Sequence, residues 1–195
     1  MKTIFYRHLL EASPYYGFTP TQQIIYSFLV SKSVTSNIDL FESDGQTIRT
    51  DDLIEYYQED GFCTLDLVEM KSSFVSSTLC ITPKTYFSTL SFLKGCGLID
   101  QDTIRFTPDM IKRGYFELLT VHKLPKQILI FYSWLFNIAK NNNWAIFANS
   151  KVMAEKMNIS HCTIRSMIKY LSDRGLVKRD INNDGTFGKL SIFPF

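Results

Sequence analysis

The sequence has little of what marks most enzymes and membrane proteins. Its three histidines, His8, His122 and His161, are scattered, and its four cysteines, Cys63, Cys80, Cys96 and Cys162, show no C-x-x-C spacing. A structural zinc site draws its ligands from close pairs of such residues, so no metal site is expected, and free thiols in a reducing compartment are. No apolar run approaches the roughly 18 residues of a membrane span. The opening stretch, MKTIFYRHLLEASPYY, has neither a long apolar core nor a small-residue cleavage site, so it does not read as a signal peptide. The expected location is the cytoplasm, with no membrane partner. The chain also lacks G-x-G-x-x-G, a Walker A loop, H-E-x-x-H and G-x-S-x-G. The expectation is a protein that is not an enzyme and needs no cofactor.

What is present is a repeat. Phe74–Ile99 and Val152–Val177 align at a constant offset of 78 residues, with apolar positions falling on apolar positions: Val75 on Met153, Leu79 on Met157, Tyr86 on Ile164 and Leu93 on Leu171. Thr85 falls on Thr163 and Gly97 on Gly175. Each copy reads as a short helix, a tight turn, a second helix capped by Thr82 or Ser160, a glycine stop and a short strand. Upstream, Thr19-Pro20 and Leu124-Pro125 each read as a helix start with proline as the first helical residue, and Tyr26-Ser27-Phe28-Leu29 echoes Tyr132-Ser133-Trp134-Leu135 at an offset of 106. The larger offset places an insertion of about 28 residues in the first copy, near 34–62. Within it, Asp51–Gln58 reads as a short helix. Strands are expected at Phe62–Leu65, Leu98–Asp100, Thr103–Phe106, Trp144–Phe147, Leu176–Asp180 and Lys189–Phe193, a helical turn at Pro108–Arg113, a linker at Tyr115–Val121 and a turn-rich loop at Asn182–Gly188.

Charge divides the chain. Residues 121–195 hold eleven Lys/Arg against four acids, a balance of +7, whereas 37–61 hold one Arg against eight acids, a balance of −7. A polyanion is drawn to the second copy and repelled by the inserted segment. On the second helix of the second copy, Ile164, Met167, Ile168 and Leu171 form the buried stripe, which leaves His161, Cys162, Arg165, Ser166 and Lys169 facing outward beside Thr163. Arg165 suits bidentate pairing with guanine, Ser166 and His161 suit base edges or phosphates, and Lys169 suits a phosphate. Lys178, Arg179 and Lys189 flank the loop that follows. In the first copy Phe87 aligns with Arg165, and Lys84 and Ser88 are the outward residues suited to DNA. That copy is expected mainly to make protein contacts, homodimerisation among them.

The pattern Ala154-x-x-Met157-x-Ile159-Ser160-x-x-Thr163-Ile164, followed by Leu171, Gly175-Leu176-Val177 and a turn-rich loop, resembles the winged helix-turn-helix superfamily. The resemblance implies a mainly α fold with small β-wings, in two tandem winged helix-turn-helix domains: residues 1–120 with the acidic insertion, and the basic residues 121–195. Two such units in one chain resemble plasmid and phage replication initiators, in which one winged helix often serves dimerisation and the other grips origin DNA. The implied function is sequence-specific binding of double-stranded DNA, as a transcriptional regulator or as the replication initiator of a mobile element. The alternative is an adaptor that uses both units for protein contacts.

Overall fold

A computed structural model describes residues 3–11, 15, 17–41, 58–59, 61–119, 124–181 and 187–193. The chain divides into two compact units, one built on Thr3–Leu9 and Pro14–Tyr115, the other mainly on Phe116–Phe195.

In the first unit, β1 (Thr3–Tyr6) and α1 (His8–Glu11) precede the long helix α2 (Pro20–Phe41). Thr19 and Gln22 close its N-terminus reciprocally: the Thr19 hydroxyl accepts from the Gln22 N–H, and the Gln22 side chain accepts from the Thr19 N–H. Strands β2 (Gln58–Glu59), β3 (Phe62–Asp66), β4 (Ile99–Asp100) and β5 (Thr103–Phe106) form an antiparallel sheet in the order β2-β3-β5-β4. Cys63 pairs with Phe106 and Leu65 with Ile104, and all four are buried, so one face of the sheet lies on the core. Helices α3 (Ser72–Leu79) and α4 (Pro83–Gly95) lie between β3 and β4 in sequence. Helix α5 (Pro108–Lys112) follows β5, and β6 (Tyr115–Leu118) spans the boundary of the two units.

The second unit repeats this plan with other side chains. After α6 (Lys126–Ala139) come β7 (Ala145–Ile146), α7 (Ser150–Met157), α8 (His161–Ser172), β8 (Val177–Ile181) and β9 (Phe187–Ile192), with sheet order β7-β9-β8. The match of local geometry is close. Helices α3 and α7 both end on a left-handed residue, Cys80 (φ 51°) and Asn158 (φ 50°). The Thr82 and Ser160 hydroxyls each accept from the N–H three residues on, at 3.1 Å in both cases. Both α4 and α8 end in the same double hydrogen bond: Leu98 N–H to the Leu93 carbonyl with Gly97 N–H to Lys94, and Leu176 N–H to Leu171 with Gly175 N–H to Ser172. The reversal needs positive φ at Gly97 (69°) and Gly175 (68°), where a side chain is disfavoured. The tyrosines of the two long helices also play one part. The Tyr26 hydroxyl donates to the Arg105 carbonyl on β5, and the Tyr132 hydroxyl donates to the Phe193 carbonyl just after β9.

The expected class does not hold. Among the described residues about 53% are helix and 20% strand, the strands forming three small sheets, so the protein is mixed α/β rather than mainly α in two tandem winged helix-turn-helix domains. Thr3–Tyr6 and Tyr115–Leu118, the latter expected as linker, are strands. Other boundaries shift too. Pro125 is the N-cap of α6 and not its first residue, and α2 runs to Phe41, into the region assigned to the insertion. Gln58, expected to end a helix, lies in β2; the rest of that helix and residues 182–186 of the turn-rich loop lie outside the described residues. Ala154 is buried in α7, and its counterpart Ser76 is equally buried with a hydroxyl that finds no hydrogen-bond partner.

Burial of Tyr132 lifts its phenol from the usual 10.0 to about 12. The folded state therefore favours the neutral form. This contribution to stability is complete below pH 10 and lost as pH rises through about 12. Tyr132→Phe is expected to destabilise the protein at neutral pH by about 1 kcal/mol through the lost bond to Phe193. The gap between variant and parent should then narrow in urea melts above pH 10. A gap that stays constant would show that the phenol does not titrate with unfolding.

Candidate nucleic-acid interface

Helix α8 is strongly two-sided. Ile164, Met167, Ile168 and Leu171 are buried, and the opposite side is open to solvent because it carries Cys162, Arg165, Ser166 and Lys169. At about 100° per residue, Cys162 lies opposite the buried stripe with Ser166 and Lys169 about 30° to either side of that point, whereas Arg165 and His161 lie further round on the flank beyond Lys169.

That flank borders a cleft of about 800 Å³. Asn149, Ser150 and Lys151 from the start of α7, His161, Arg165, Ile168, Lys169, Ser172 and Asp173 from α8 and its end, and Arg179 from β8 line it. Four cationic side chains thus face one carboxylate. Local structure fixes the walls. The Asn149 side chain accepts from the Lys151 and Val152 N–H groups and starts α7 at that point. Ser150 Oγ and His161 Nε2 lie 2.6 Å apart and tie the first turn of α7 to the first turn of α8.

The structure separates the residues expected to act together. His161, Arg165, Lys169 and Arg179 meet at the cleft. Lys178 and Lys189 do not: both lie 3.9 Å from Asp180, on the other face of the β8–β9 ribbon from Arg179. Thr163 is half-buried and serves the cap, its hydroxyl 2.7 Å from that of Ser160. The Ser166 hydroxyl donates to the Cys162 carbonyl, so its proton is already used within the helix. In the first unit, Lys84 and Ser88 are exposed on α4, the Ser88 hydroxyl donating to the Thr85 carbonyl, and Phe87 stands 55% exposed between them. Elsewhere in the second unit, the Arg174 guanidinium lies 3.6 Å above the Tyr170 ring and so has an intramolecular role.

Asn149, Ser150 and Lys151 lie just upstream of the repeat, which begins at Val152, so the repeat does not point to them. The signal was there: Asn-Ser ahead of an apolar helical stripe marks a helix start, and the start of α7 packs beside α8. Among the described residues no helix is long and apolar enough to cross a membrane. Comparison of the chain with protein-family models, with curated proteins and with solved structures gave no match.

Proposed function

We propose that the second unit binds double-stranded DNA, with the crest of α8 against the major groove and the cationic cleft beside it on the sugar-phosphate backbone. One observation carries this reading: Lys151, Arg165, Lys169 and Arg179 come from three separate elements, α7, α8 and β8, and converge beside the exposed side of one helix. An ordinary solvated helix face has no need of such convergence, whereas a duplex, with one charge per roughly 1.7 Å of axis, rewards it. A helix with an exposed polar crest matches the width of the major groove. The protein acts in the cytoplasm as a sequence-specific regulator of transcription or as the replication initiator of a mobile element. The first unit contributes protein contacts, a second copy of the chain being the expected partner, since Phe87 is exposed on α4 where the second unit has Arg165.

Selection of random duplex DNA by the purified protein at two salt concentrations tests the proposal. An enriched motif whose retention falls with salt is the expected result. Salt-sensitive retention with no motif would remove the sequence-specific part, and no retention at low salt would remove DNA binding and leave the protein adaptor.

A further inference from the structure

Sequence alone makes Arg165 the natural base reader of α8, because an outward arginine on such a helix suits guanine. Its position in the fold says otherwise. Arg165 lies on the flank of α8 and lines a concavity, while the crest opposite the buried stripe belongs to Cys162, with Ser166 and Lys169 on either side of it. Shape decides between the two roles. Base edges lie at the floor of a groove, so they are reached by whatever projects furthest from the protein. Phosphates form the ridges on either side, and a ridge fits a hollow beside the projecting helix. Charge agrees. Cations approach the hollow from α7, α8 and β8, which suits a compact anion and not the flat edge of a base. The bond between Ser150 and His161 holds two further polar groups fixed at the wall.

From this we infer that the cleft is a phosphate clamp, and that Arg165 acts with Lys151, Lys169 and Arg179 on the DNA backbone, without regard to sequence. The inference rests on the DNA-binding proposal and deepens it, assigning Arg165 to the backbone and not to the base edge that the sequence suggests. Discrimination among sequences then falls to the crest of α8.

The test uses the full chain, one duplex selected from a random pool and one unrelated duplex, each titrated over a range of salt. Arg165→Ala is expected to weaken both duplexes by the same factor, about tenfold at low salt, and to reduce the salt slope by about one. Arg165→Lys keeps the charge and gives up the planar fork, so it should retain most of the slope. If Arg165→Ala instead erases the preference for the selected duplex and leaves the slope unchanged, Arg165 reads a base and the clamp is wrong. Calorimetric titration of tripolyphosphate without DNA separates this inference from the proposal beneath it. Binding of tripolyphosphate that Arg165→Ala weakens, together with no binding of any duplex, would sustain the clamp as a phosphate site and remove the DNA reading. Tripolyphosphate binding that Arg165→Ala leaves unchanged would remove the clamp.

Discussion

The double variant Lys169→Glu, Arg179→Glu is expected to bind duplex DNA at least about a hundredfold more weakly than the parent at low salt. Both side chains are exposed and line the cleft, one from α8 and the other from β8. Each phosphate contact contributes a slope of roughly 0.9 to the dependence of log affinity on log salt, so each is worth nearly a decade between about 1 M and 0.1 M. Two lost contacts give about two decades, and the two new carboxylates add repulsion. The fold should be kept, because exposed positions of this kind usually change stability by no more than about 0.5 kcal/mol. The informative control is Lys178→Glu, Lys189→Glu. It changes the net charge equally but lies on the other face of the ribbon, around Asp180. Its loss should be clearly smaller. Equal losses in filter binding would mean that overall charge, and not the cleft, holds the DNA.

Lys178 and Arg179 also show where reading the sequence stops. They are neighbours in the chain, and composition places both beside the same loop. Pairing puts Arg179 opposite Leu190 and Asp180 opposite Lys189, which sends the two basic residues to opposite faces. The split itself follows from the alternation of side chains along any strand, but which of the two faces the cleft depends on how β8 packs against α8, which no local pattern records. The helical hairpins were legible because their signals are local: Thr82 and Ser160 cap, Gly97 and Gly175 reverse the chain, and the apolar spacing marks the buried stripe. The fold class was not. The expected strands Leu98–Asp100 and Trp144–Phe147 are there as Ile99–Asp100 and Ala145–Ile146, whereas Thr3–Tyr6 carried no expectation and Tyr115–Leu118, expected as linker, has no turn residues before it except Gly114. The outward set on α8 was readable from its amphipathic spacing. The cleft was not, because it forms only when the start of α7 and strand β8 are folded against that helix.

Leu171→Ala should cost the second unit about 2–5 kcal/mol, a large share of the roughly 5–15 kcal/mol that stabilises a domain. The side chain is wholly buried, and the residue's carbonyl accepts the Leu176 N–H that closes the turn between α8 and β8. Truncation therefore loosens both the packing of α8 and the path of the strand that carries Arg179. The chain's two tryptophans, Trp134 and Trp144, both belong to the second unit, so their emission in urea reports its unfolding. An early midpoint is expected, with DNA binding lost at temperatures where the parent still binds. Leu93 is the matching residue of the first unit and is just as buried. Leu93→Ala should destabilise its own unit by a similar amount, yet leave DNA affinity near that of the parent below the melting temperature. The two leucines occupy equivalent places in equivalent hairpins, so stability alone cannot distinguish them. Only the cations around α8 predict that one substitution abolishes binding and the other spares it. Equal loss of binding by both would withdraw the assignment of DNA binding to the second unit.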